Sequence, residues 1–235
     1  WNFYRRSGSL AVSWPDLRPV REVIDGIVKV SLGAVGQFLI ASLSWVFLVR
    51  IVADFGTEAV GGYGVAVRII IVALLPAWGM ANAAATLVGQ NLGALQPERA
   101  ARSAWLCGHY NMVFMVLVTV FFWAAAPWIV SFFDQGPVAD GYAILALRVI
   151  SLGYFFYGYG MVLAQALNGA GDSVTPTWLN VICFWALEIP LAYAMALKFG
   201  MGPLGVFASV AISESILAVL CAIIFQRGKW KLAKV

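Results

Sequence analysis

The run SAWLCGHYNMVFMVLVTVFFWAA, residues 103–125, holds no aspartate, glutamate, lysine or arginine across 23 positions. A helix rising about 1.5 Å per residue needs about 20 such residues to cross the hydrocarbon core of a bilayer. The run lacks strict polar alternation, and it exceeds the roughly 10 residues of a barrel strand. It reads as a helix with lipid as its solvent.

Working outward from it, the same signature recurs. Six apolar segments run over residues 27–53, 59–88, 99–125, 139–168, 175–199 and 203–226. Turn chemistry separates them: Asp54-Phe55-Gly56, Gly93-Ala94-Leu95-Gln96-Pro97, Asp134-Gln135-Gly136-Pro137, Gly169-Ala170-Gly171-Asp172 and Gly200-Met201-Gly202-Pro203. The second, third and fourth segments exceed the minimum span, so tilt or interfacial extension is expected. The whole chain is 62% hydrophobic and 11% charged, with a mean hydropathy of +0.87. A soluble domain of this size has too little core to hide that much apolar surface. The expected fold is all-α, a polytopic membrane bundle of six transmembrane helices, with membrane lipids as its first partner.

Orientation follows from positive residues in short loops. Arg5, Arg6, Arg18 and Arg21 precede the first span, Arg99 and Arg102 start the third, and Arg227, Lys229, Lys231 and Lys234 follow the sixth. With six spans these groups share one side, whereas the opposite loops carry Asp54, Glu58, Asp134, Asp140 and a single cation, Lys198. Both termini are therefore expected in the cytosol of a multi-pass protein of the cell membrane, a bacterial inner membrane. The chain divides into a cytoplasmic linker (1–24), a six-helix lobe (25–226) and a basic tail (227–235). Those basic ends suit an anionic inner leaflet. The first residue is Trp1 and no secretory signal is apparent, so the chain is expected to be a piece of a longer protein.

Several functional classes find no anchor. The cysteines Cys107, Cys183 and Cys221 are odd in number and lie in apolar runs, which argues against a disulfide framework. One histidine, His109, leaves no multi-histidine metal site and few triads. The net charge of +4 comes from chain ends and one loop and forms no basic stripe, so nucleic acid is not expected as a partner. Gly158-Tyr159-Gly160 lacks the third glycine and the strand of a dinucleotide site, and Walker, HExxH, CxxC and GxSxG motifs are missing. No catalytic residue, metal site or cofactor is expected.

What the spans contain is more informative. Pro76 and Pro190 each remove a backbone donor inside a span, where kinks either line a cavity or serve packing. Small residues, as in Gly153–Gly160 and Ala81–Ala85, let helices approach closely. Ionisable groups at depth are costly and therefore point to function. Glu188 lies roughly 20 Å into the fifth span, and Glu214 lies at a similar depth in the antiparallel sixth. They are the ion-coupling candidates; the alternative is a buried bond to a neighbouring helix, or to Arg68 or Arg148. Gln37, Asn82, Tyr157, Gln165 and Asn180 are the substrate-cleft candidates, with Asn111 a further polar group at depth. Each amide could equally bond helix to helix. The 15 Phe, 10 Trp and 8 Tyr, densest at Tyr154–Tyr159, suit flat cationic molecules through cation–π contact, although lipid also covers such rings.

Three stretches resemble the C-terminal lobe of multidrug and toxic compound extrusion (MATE) transporters. The first is Gly61-Gly62-Tyr63-Gly64-Val65-Ala66-Val67-Arg68-Ile69, leading to Leu87-Val88-Gly89-Gln90-Asn91-Leu92-Gly93-Ala94 and Gln96-Pro97-Glu98-Arg99-Ala100. The second runs from Gly160 through Gln165-Ala166-Leu167-Asn168-Gly169-Ala170-Gly171-Asp172-Ser173 to Thr175-Pro176-Thr177, and the third is Ile189-Pro190-Leu191-Ala192-Tyr193. The resemblance covers residues 25–226. It implies one lobe of a twelve-helix fold, with the N-terminal lobe, or a second copy, as the missing partner. It also implies efflux of drugs or amphipathic organic cations in exchange for protons or sodium ions, by alternating access across a central cleft. Some members carry coupling carboxylates on the lobe's first and fourth helices; Gln37 and Tyr157 occupy those places here. Coupling then rests on the absent lobe or on Glu188. A lipid-linked precursor flippase of the same broad superfamily and a non-catalytic membrane scaffold are the alternatives.

Overall fold

The computed structural model describes residues 20–232, and among these every regular element is a helix. In chain order they are α1 (Arg21–Ala53), α2 (Thr57–Gly93), α3 (Pro97–Val130), α4 (Pro137–Ser151) and α5 (Tyr154–Gly169). Next come α6 (Val174–Lys198) and α7 (Pro203–Gln226), and a single 3₁₀ turn at Lys229–Leu232 closes the described chain. Five of these helices are long and apolar enough to span a bilayer alone, and α4 with α5 makes a sixth, bent span. The protein is thus a multi-pass helical membrane protein, as the six apolar segments foretold. Residues 21–24 already belong to α1, so the helix reaches into the expected linker; the rest of that linker and residues 233–235 of the tail lie outside the described residues.

All five interspan breaks contain a residue with positive φ: Gly56, Leu95, Asp134 with Gly136, Gly171, and Gly200 with Gly202. Pro97, Pro137 and Pro203 then open α3, α4 and α7, where a missing amide costs little and φ is already helical.

Packing forms two layers along the spans. One layer joins Leu48 and Val52 of α1, Tyr63, Ala66 and Ile70 of α2, Phe122 of α3, Leu147 of α4 and Phe207 of α7. The other joins Val88 and Leu92 of α2, Ala104 of α3, Leu163 and Leu167 of α5, and Cys221 and Phe225 of α7. Close approach depends on glycine at several crossings. A Cβ on Gly169 would run into the Ala85 backbone of α2, and a Cβ on Gly153 would lie 2.8 Å from the Ala211 carbonyl of α7. Large apolar side chains nonetheless point outward on most helices, among them Phe38, Val72, Leu117, Val120 and Trp128. Only 12% of the most apolar stretch of α1 is buried, against 28–33% in the other four unbroken spans. Water is a poor solvent for such faces; acyl chains or other helices must cover them.

Two local features depart from a plain helical ladder. The fourth span is broken by 62° between α4 and α5, although the apolar run from 139 to 168 predicts one helix. At the break the amides of Leu152 and Gly153 bond three residues back, to Val149 and Ile150, which tightens the last turn of α4. The other feature is in α6, where wide π turns over Val181–Glu188 and Ala194–Lys198 flank a short regular stretch, Ile189–Tyr193, that holds Pro190. Proline cannot complete a regular ladder and its ring crowds the preceding turn, so widened turns beside it relieve both problems. α2 runs through Pro76 as one helix.

Candidate functional site

α7 starts at Pro203 and carries Glu214 roughly 16 Å along its axis. Where α7 meets the α4–α5 break, Gly153 admits the Ala211 backbone, and this fixes the level of Glu214 three residues later. The break also turns Tyr154 and Tyr157 inward, their rings 6.2 Å apart, with Phe122 of α3 against Tyr154 at 6.3 Å. The result is a recess lined by Trp45 of α1, Ile70 and Leu74 of α2, Tyr154 and Tyr157 of α5, and Val210, Ala211 and Glu214 of α7.

The recess offers about 40 Å³. A cavity needs about 10–15 Å³ to hold one water, and drug-sized ligands occupy about 300–1,000 Å³. Space here therefore suits water or a small ion. Its polar lining is incomplete: Glu214 Oε2 and the Tyr154 hydroxyl are buried with no hydrogen-bond partner. Buried polar atoms are nearly always paired, and an orphaned one costs about 1–3 kcal/mol. An oxygen pair of this kind is chemically fitted to take a proton, a water or a monovalent cation.

Glu188 is 2% exposed and its Oε1 also lacks a partner. It sits where the first wide stretch of α6 ends, and it is not among the residues lining the recess. Counting back from Lys198, it lies roughly 15 Å from the Lys198–Pro203 turn, the level of Glu214. Neither carboxylate joins an ion pair among the described residues. The suggested arginine partners are otherwise placed: Arg148 donates to the Trp123 carbonyl at 3.2 Å and lies over its ring, and Arg68 stands on the exposed side of α2. No cluster of three or more metal-ligating side chains occurs among the described residues.

The remaining sequence candidates are divided among the recess, a chain of amides and α6. Tyr157 lines the recess. Gln37, Gln165 and Asn82 instead form one chain of amides through Asn168, nearer the end of the lobe where α5 finishes. Gln37 and Asn168 exchange bonds of 3.0 and 3.2 Å, Asn168 donates to Gln165 at 2.6 Å, and Gln165 donates to Asn82 at 3.0 Å. Gln37 also donates to the Ser173 carbonyl at 3.3 Å, so the chain ties α1, α2 and α5 to the start of α6. Asn180 is half-buried on the last regular turn before the wide stretch of α6. Asn111 donates to the Gly158 carbonyl at 2.9 Å, bonding α3 to α5. Three contributors escaped the sequence reading. Asn168 is signalled by its i, i+3 spacing from Gln165 in an apolar helix, and Tyr154 by the aromatic cluster; nothing local marks Trp45.

Comparison with known proteins gives a consistent result. The MatE family model matches residues 34–194. The probable multidrug resistance protein NorM of Thermotoga maritima is 23% identical over 232 residues, covering 97% of this chain and 48% of that protein. Among solved structures, a MOP superfamily transporter from Pyrococcus furiosus superposes with a TM-score of 0.90 at 22% identity, over 98% of this chain and 52% of its own. An outward-facing multidrug resistance transporter of the same superfamily gives 0.89 at 22% identity, over 98% and 52%. The chain spans about half the length of the curated relatives it matches.

Proposed function

Because the chain belongs to the MatE family of membrane transporters, we propose that it is one lobe of a secondary active exporter. The exporter expels drugs or amphipathic organic cations in exchange for protons or sodium ions, by alternating access and without a chemical step. The observation that carries this reading is the recess at Glu214, where a carboxylate and a phenol without partners face a space fitted to an ion or water. Binding an ion there satisfies both oxygens and alters the contacts of α7 with the α4–α5 break. Glu188, whose Oε1 also lacks a partner at the same level, is a second coupling group.

Substrate belongs outside the recess, which is too small for it. The cleft lies against the open faces of α1 and α2, where Asn82 is exposed and Gln37 is held by the amide chain. Tyr157, Gln165 and Asn180 stand deeper and act on the cleft by positioning. The missing lobe packs across the same side, which explains why α1 is the least buried span. Both ends of the lobe's chain face the cytosol. The flippase alternative needs several free cations to hold pyrophosphate, and of its two candidates, Arg68 and Arg148, the second is engaged at Trp123.

The test is efflux of a cationic dye from cells carrying the complete transporter. Glu214→Gln should cut coupled efflux by about tenfold or more while leaving protein level and detergent melting temperature intact. Glu188→Gln should give a smaller loss. Unchanged efflux in both variants overturns the assignment.

A further inference from the structure

A second pocket lies at the end of the lobe where α5 and α7 finish. It measures about 220 Å³ and is lined by Leu167 of α5, Asp172, Thr175 of α6, Ile224 and Arg227 at the end of α7, and Lys229 and Trp230 beyond it. We propose that this pocket binds the phosphate of an anionic phospholipid headgroup.

The pocket is built by a fixed turn rather than a loose tail. Gly228, with φ +71°, reverses the chain after α7, and the Lys231 amide then bonds back to the Gly228 carbonyl at 3.0 Å. Trp230 is buried, stacks on Phe225 at 4.5 Å and donates its indole N–H to the Phe225 carbonyl at 2.8 Å. Lys231 pairs with Glu98 of α3 at 2.8 Å. These contacts hold Arg227 and Lys229 at the rim, and neither enters an ion pair among the described residues.

The one acidic group in the lining is already engaged. Asp172 accepts from the Thr175 amide at 3.0 Å and from the Thr175 hydroxyl at 2.6 Å, one bond to each carboxylate oxygen. Its charge is directed into the start of α6, which leaves two cations facing the opening. Leu167, Ile224 and Trp230 supply the apolar part of the lining, and Trp230 is buried while Arg227 and Lys229 are exposed. Exposed cations beside an apolar lining, at the end of the spans, match a phosphate ester with acyl chains attached.

The experiment is native mass spectrometry of the full chain released from micelles of equimolar phosphatidylglycerol and phosphatidylcholine. Wild type should retain phosphatidylglycerol preferentially. Arg227→Gln with Lys229→Gln should weaken that retention about tenfold or more. Arg99→Gln with Arg102→Gln removes the same charge at the same end of the lobe and should keep it. Equal loss in both pairs, or full retention in the first pair, overturns the site in favour of diffuse attraction. Displacement of the lipid by millimolar inorganic phosphate overturns the lipid assignment in favour of a soluble phosphate. Matching melting temperatures of the two pairs separate lost binding from lost fold.

Discussion

Glycines with the same local helix geometry carry very different weights in this lobe, because what matters is the neighbour each would meet. A methyl on Gly169 collides with the Ala85 backbone, which cannot give way without moving α2, whereas Gly79 has nothing within 4 Å of the added atom. Gly169→Ala should therefore cost about 1–3 kcal/mol by overpacking, and Gly79→Ala should gain about 0.5–1 kcal/mol from helix propensity. Melting of the two variants in detergent, followed by tryptophan emission, should move in opposite directions. The polar residues at depth differ in the same way. Glu188 and Glu214 were visible in the sequence as carboxylates in apolar runs, but the one unpaired oxygen on each was not, since pairing depends on which helices lie beside them.

Among the elements, α6 shows how one residue conditions a helix. Pro190 stands between two stretches of wide turns, and the first of these ends at Glu188. Restoring an amide at this position with Pro190→Ala should let α6 tighten toward a regular helix, each lost wide turn rotating the remainder of the helix by about 100°. Glu188 would then swing away from its present level. The expected outcome is an equal or higher melting temperature with efflux reduced several-fold; unaltered efflux would show that the wide turns have no bearing on transport. The amide chain is the second inter-element device. Asn168→Leu removes both bonds between Gln37 and Asn168 and the one Gln165 accepts, leaving Gln37 only the Ser173 carbonyl and Gln165 only Asn82; it should cost about 1–2 kcal/mol, somewhat above the average interhelical bond in membranes. Detergent melting compared with Asn168→Asp, which keeps an acceptor for Gln37, measures it.

The molecule as a whole leaves large apolar side chains exposed on most of its helices, a surface that suits lipid and a partner. Its positive loops stand at one end and its acidic ones at the other, so orientation should be readable with fusions. A reporter active only outside the cytosol should work when fused after Gly136, and a cytosolic reporter should work after Val235. The reverse pattern would invert the lobe and move the proposed headgroup pocket to the outer leaflet. The family match and the superposition over nearly the whole chain at a TM-score of 0.90 agree with six spans of this connectivity.

Some properties are set by composition along the chain and need no tertiary information. Runs of uncharged residues near 20 long must be helical in lipid, because only a helix satisfies its own backbone there. Glycine, proline and aspartate must mark the turns, and the motifs around Gly89–Gln90 and Gly169–Asp172 carry the family. The fourth span's break, the level of Glu214 against Gly153, the joining of Gln37 to Asn82 through residues more than 80 positions away, and the fold-back of Trp230 onto Phe225 came only with the assembled lobe. Each depends on contact between segments distant in sequence, and neither hydropathy nor helical periodicity encodes which faces those segments turn toward one another.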